Sequence, residues 1–222
     1  MNFLEICQRA RSEAGIPGTG PSSVVAQTGQ LLRVVQWVSE AYEEIQNLHP
    51  TWRFLQKSFD FSTIIGTATY TPTGVALSDF GKWKTNDFRV YLTESDETFL
   101  VFEPWETFRS YYNFGAFRSQ TGRPIVITVK PDDSLMTYPI SEQVYTIDGQ
   151  YYRSAHIMTA NADEPLFATQ FHMAIVWKAL MLYSGDLGAA DLYAHAQLEY
   201  KKLSNKMRFK YLPKVTFGRP LA

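Results

Sequence analysis

Residues 28–61 read TGQLLRVVQWVSEAYEEIQNLHPTWRFLQKSFDF, and the period of their apolar positions changes partway along. Up to Leu48, the residues Leu31, Val34, Val35, Val38, Ala41, Tyr42, Ile45 and Leu48 recur three and four apart. Arg33, Gln36, Glu40, Glu43, Glu44 and Asn47 fall on the opposite side, so the stretch 28–48 is predicted to be an amphipathic helix. Pro50 ends it, because the ring disfavours helical geometry in the preceding His49. From Trp52 to about Ala160 the period is two: Phe59, Phe61, Tyr70, Phe88, Val90, Leu92, Phe99, Val101, Ile125, Ile127, Val129, Val144, Thr146 and Tyr152 alternate with polar neighbours. That is the pattern of several short strands.

Helical periodicity lies on both sides of this β region. Asn2 is placed to cap a short helix running to about Ala14, with Phe3, Ile6, Cys7, Ala10 and Ala14 on one face. The segment from Gly15 to Ser23 carries three glycines and two prolines and reads as a loop. Within the β region one helix is expected over about 104–113, started by Pro104, with Trp105, Phe108 and Tyr112 on a shared face. Asp148-Gly149, between two apolar runs, reads as a tight hairpin turn. After Pro165 the helical period returns. Phe167 to Tyr183 is apolar nearly all round, Ser184-Gly185-Asp186 reads as a loop, and a long helix follows from about Leu187 to Met207 with Ala189, Leu192, Ala196, Tyr200, Leu203 and Met207 in its stripe. The expected fold is α+β: a helical bundle from residues 1–50 and 162–208, an inserted antiparallel β domain over 51–161, and an extended C-terminal arm over 209–222.

The chain has 222 residues, 45 % apolar and 15 % aromatic, enough for a packed core. The single Cys7 excludes an internal disulfide framework and a multi-cysteine zinc site, and its place on an apolar helical face predicts a buried thiol in a reducing compartment. Arg9, Arg11 and Glu13 interrupt the first helix and the run Met173 to Tyr183 is short, so neither a signal peptide nor a membrane span is expected. Charge is distributed unevenly. Lys201 to Ala222 carries seven Lys or Arg and no Asp or Glu, which leaves 14 basic against 22 acidic residues in the rest. Such asymmetry points to a partner.

Reaction chemistry finds little support. His49, His156, His172 and His195 contain no pair with the spacing of a helical zinc site. Gly15, Gly18 and Gly20 follow a helix rather than a strand, which is the wrong context for a dinucleotide loop. No nucleophile elbow or phosphate loop is present, Cys7 has no base partner in sequence, and Asp132-Asp133 reads as a solvated turn. The expectation is a protein without enzymatic activity and without a cofactor.

The N-terminal third carries a recognisable pattern: Phe3-Leu4-Glu5-Ile6-Cys7-Gln8-Arg9, Glu13-Ala14-Gly15-Ile16, Gly18-Thr19-Gly20-Pro21-Ser22, Gln27-Thr28-Gly29, Arg33-Val34-Val35-Gln36-Trp37-Val38, Ile45-Gln46 and Trp52-Arg53-Phe54-Leu55. This resembles the head-to-tail adaptor proteins of tailed bacteriophages, densely over about the first 55 residues and in outline beyond. The resemblance implies a structural virion protein, assembled in the bacterial cytoplasm. About a dozen copies would form a ring beneath the portal, join it to tail or nozzle proteins, and leave a channel through which genomic DNA passes without specific binding. It also implies a C-terminal segment reaching toward the portal or a neighbouring adaptor. Its apolar anchors would be Tyr211, Leu212, Val215 and Phe217, and its steering charges Lys206, Arg208, Lys210, Lys214 and Arg219. Large side chains of the β region, Trp83, Tyr91, Trp105, Tyr111, Tyr112, Phe114 and Phe117, are candidates for interfaces as well as for core. Two other readings stay open: a nucleic-acid contact through the tail, with Tyr211 and Phe217 stacking on bases, and a sugar-binding or enzymatic site in the β region.

Overall fold

The computed structural model describes residues 1–213. Two compact units emerge, one from Met1–Leu55 together with the chain from Ala155 onward, the other from Gln56–Ser154. N- and C-terminal helices thus flank an inserted β region in an α+β chain.

The helical unit holds α1 (Phe3–Glu13), α2 (Gly29–Asn47), α4 (Met173–Leu187) and α5 (Ala190–Tyr211). A reciprocal cap starts α1: the Asn2 side chain accepts from the Glu5 N–H at 2.9 Å, and the Glu5 carboxylate accepts from the Asn2 N–H at 3.0 Å. Such a cap is worth about 1 kcal/mol. The next free amides of α1 donate to Asp163 and Asn161 carbonyls, tying the first helix to the segment that precedes α4. Cys7 is fully buried, and burial pushes its thiol up to about 12, so it stays protonated. Helix α2 buries Val34, Val35, Val38, Ala41, Tyr42 and Ile45 as its periodicity predicts. It also buries Gln46, whose amide pairs with both backbone groups of His156 at 2.9 Å, a satisfied polar contact that periodicity alone does not reveal. Helix α4 packs against α1, α2 and α5 and encloses Ala174, Ile175, Val176, Ala179 and Leu180.

Three boundaries differ from expectation. The helix expected from Phe167 begins at Met173, after a 3-10 turn over Thr169–Phe171. The loop expected at Ser184-Gly185-Asp186 is helical, and α4 ends instead at Gly188, with φ +67° and ψ 24°. Only the second glycine takes the left-handed conformation that glycine adopts without steric cost. Helix α5 runs to Tyr211, so Phe209, Lys210 and Tyr211 are not part of an extended arm. The break falls at Leu212, at ψ 151°, the extended geometry imposed by Pro213 on the residue before it.

The β unit contains β1 (Gln56–Ser62), β2 (Thr69–Tyr70), β3 (Phe80–Tyr91), β4 (Thr98–Phe99), β5 (Val101–Phe102), α3 (Trp105–Tyr111), β6 (Thr121–Gly122), β7 (Val126–Val129), β8 (Leu135–Tyr138), β9 (Ile140–Ser141) and β10 (Thr146–Arg153). The sheet orders are β1-β10-β3-β4 and β2-β8-β7-β5, with β6-β9 as a separate pair. Pairing is antiparallel except for β5 with β7 and β6 with β9. Phe59, Trp83, Phe88, Val90, Ile127, Leu135, Ile147 and Tyr151 form the core. Asp148-Gly149 is no hairpin turn: both residues lie inside β10, between β1 and β3, with a register shift opposite β3. Gly149 serves packing, since the Phe88 and Phe59 rings occupy the space a side chain would need. Asp132 lies in a turn, where its carboxylate accepts from the Ser134 N–H and pairs with Lys130. Among the described residues no helix is long and apolar enough to cross a membrane.

One pH effect follows from the helical unit. Burial pushes His172 below the usual imidazole range, and its Nε2 lies 3.0 Å from the Phe167 carbonyl, which suits a neutral ring donating from Nε2. Burial, then the charge of Arg208, lowers His49 in the same direction. An unfolded chain takes up protons on both rings near pH 6.5 while the folded one does not. Their contribution is therefore complete above about pH 6.5 and is lost as pH falls below it. The urea midpoint of the helical unit is expected to fall between pH 7.5 and 5, read by helix ellipticity.

Candidate docking surface on the last helix

Tyr211, expected to reach out to a partner, is turned inward. Its ring meets Phe54 edge-on at 5.1 Å, Phe171 at 5.8 Å and Trp52 at 6.5 Å, and its hydroxyl accepts from the Ala168 N–H at 2.9 Å. Trp52 supports the cluster: it is 1 % exposed, stacks on Phe54 at 5.4 Å, and donates from Nε1 to the Ile45 carbonyl at 3.0 Å. The ammonium of Lys210 lies over the Phe171 and Tyr211 rings at 5.5 and 5.3 Å, a cation–π arrangement that caps the cluster from the solvent side. The end of α5 is thus fixed to the body of the helical unit.

The rest of the C-terminal half of α5 faces outward. Its buried positions are Ala196, Ser204 and Met207, and α4 is the helix it packs on. On the opposite side, Leu198, Lys202, Asn205 and Phe209 follow one another at spacings of four, three and four and line up in one row. Leu198 is 55 % and Phe209 86 % exposed. Lys201 and Arg208 flank the row on one side, Lys206 on the other, each exposed. Among the described residues, the ion pair within α5 joins Lys202 to Glu199 at 2.5 Å, and no carboxylate pairs with Lys201, Lys206 or Arg208. The helix presents five cations against two acids, with two large apolar side chains between them.

Of the residues expected to dock, Lys206, Arg208 and Lys210 lie on this helix and Leu212 at its break, while Lys214, Val215, Phe217 and Arg219 lie outside the described residues. Lys206 and Lys210 share a groove beside α5 with Phe209 and Leu203. Arg208 lines a different groove with Lys201, Leu198 and Met181. Sequence reading missed Leu198 and Phe209 as surface residues. Continuing the helical period past Met207 would have aligned them, but the expected break at Phe209 hid the row. Tyr111, Phe114 and Phe117 of the β unit are exposed as well, whereas Trp83 belongs to its core.

No curated protein matches this chain. A family model described as SU10 adaptor protein matches residues 1–212, the whole helical frame with its β insertion and the outward face of α5, and the chain belongs to that family of phage head-to-tail adaptors.

Proposed function

We propose that this protein is a non-enzymatic virion subunit, about a dozen copies of which form a ring beneath the portal and join it to the tail around a DNA channel. The observation that supports this beyond family membership is the outer face of α5, where exposed Leu198 and Phe209 sit among Lys201, Lys206 and Arg208, which have no carboxylate partner among the described residues. Surfaces that combine large apolar side chains with unpaired charge suit protein docking. Lys214, Val215, Phe217 and Arg219 follow directly on the anchored end of α5 and are the residues we assign to contact with the portal or an adjacent subunit.

Because Phe209 to Tyr211 belong to the helix, the informative truncation starts at Lys214. A chain ending at Pro213 is expected to keep its helix content and fail to attach to portal-bearing heads. Attachment at the full-length level would remove the segment's role. The unpaired cations Lys201, Lys206 and Arg208 also favour a second reading, a backbone contact to DNA. Titrating purified protein with duplex at low and moderate salt decides it, since absence of salt-dependent binding leaves α5 as a protein-binding face.

A further inference from the structure

We infer that the basic outer face of α5 in one copy docks on the acidic outer face of α2 in the next; the inference rests on the ring reading above and names the surfaces that would build it. Helix α2 carries its own outward row, Gln36, Glu40, Glu43 and Asn47, at the same spacings of four, three and four, with Leu32 at its N-terminal end. Glu40, Glu43 and Leu32 are exposed. Among the described residues no cation pairs with Glu40 or Glu43, whereas Glu44, one position round, is held by Lys178 at 2.6 Å.

The two faces match in three respects. They are comparable in length, since α2 has 19 residues and α5 has 22. Their charges are opposite: α2 offers Glu40 and Glu43 where α5 offers Lys201 and Lys206, with Lys202, already held by Glu199, in the row between them. Each also carries apolar side chains along its row, Leu32 on α2 and Leu198 and Phe209 on α5, so contact would remove from water the large side chains that the single chain leaves exposed. Within one copy the two rows are not paired with each other, since neither Glu40 nor Glu43 has a cation partner among the described residues. Helix α4 packs against both α2 and α5, and the Lys178 ammonium of α4 pairs with Glu44 of α2 while lying over the Tyr200 ring of α5. Each helix packs its buried stripe inward against the unit and carries its charged row on the outside. A surface that complements a different surface of the same molecule makes a head-to-tail contact, which closes into a ring when the rotation between copies allows. Exposed charge pairs contribute mainly register and encounter rate and are screened by salt, so the contact is strongest at low ionic strength.

The test uses purified full-length protein at low salt, mixed in equal parts from unlabelled and isotope-labelled preparations and treated with a zero-length carbodiimide that joins Lys to Glu. Wild-type protein is expected to yield inter-copy peptides linking α5 lysines to Glu40 or Glu43. The variant Glu40→Lys with Glu43→Lys, and the variant Lys202→Glu with Lys206→Glu, are each expected to yield about tenfold fewer oligomers, because like charges then face one another. The variant carrying all four substitutions restores opposite charges and is expected to recover oligomers near the wild-type level. Absence of α2–α5 links in wild type, unchanged oligomers in the two-site variants, or no recovery in the four-site variant overturns the inference. Incorporation into DNA-filled heads separates this from the adaptor role. Two-site variants present in heads at the wild-type level remove the interface and keep the role. A wild-type chain that forms the links yet never joins heads does the reverse.

Discussion

Trp52→Ala is expected to destabilise the helical unit by about 3–5 kcal/mol, the range for truncating a large buried aromatic side chain. The indole is 1 % exposed and central to the cluster that fixes the end of α5: it stacks on Phe54, meets Tyr211 edge-on, and lies 4.9 Å from the His49 ring. Removing it leaves a cavity between elements from both ends of the chain, and leaves the Ile45 carbonyl without its Nε1 donor at 3.0 Å. Against a typical total stability of about 5–15 kcal/mol, that loss is a large fraction. The measurement is urea unfolding followed by helix ellipticity, and a loss under about 1 kcal/mol would mean that the cluster does not hold the helix end. Loosening the anchor should also reduce attachment to heads, since residues 214–222 follow directly from it.

The cluster also shows which parts of this fold were legible in the sequence. The cap at Asn2, the stripe of α2, its stop before Pro50 and the start of α3 after Pro104 all depend on residues within one or two turns, and the structure bears each of them out. The end of α5 depends on Trp52, Phe54 and Ala168, which are remote in sequence from Tyr211, and no local pattern announces that they meet. The charge asymmetry of the last residues did expose Lys206, Arg208 and Lys210. Its significance for docking changed once the helix was found to carry them, because a helix sorts side chains into an inward and an outward row where an arm does not. The two glycines of the α4–α5 hairpin make the same point. Gly185 and Gly188 are equivalent in composition, yet Gly188 alone takes a positive φ and ends α4, a difference that composition does not announce.

Gly149 is the sharpest such case, and replacing it should cost the β unit about 1–3 kcal/mol even for alanine, the range for overfilling a packed core. A Cβ at this position would lie 2.7 Å from Cδ1 of Phe88 and 3.2 Å from Cε1 of Phe59. Neither ring has room to retreat. Phe88 is 1 % exposed, and Phe59 is held against Trp83 at 4.9 Å and Tyr151 at 6.1 Å. The backbone is held as well: Gly149 itself pairs with Phe59 of β1, and its neighbours Asp148 and Gln150 pair with β3 on either side of the register shift. Had Asp148-Gly149 formed the turn that its sequence suggests, asparagine would be the mildest replacement, since it tolerates positive φ. In β10 the φ of Gly149 is not positive, and asparagine adds a larger, polar side chain to the same aromatic contact. Gly149→Asn should therefore unfold at lower urea than Gly149→Ala, the opposite of the order a turn would give. Gly185→Ala supplies the control: a Cβ there meets nothing within 4 Å, the position is inside α4, and the helical unit should gain about 0.5–1 kcal/mol. Equal tolerance of alanine at both glycines would contradict the aromatic packing over β10 and reopen the turn.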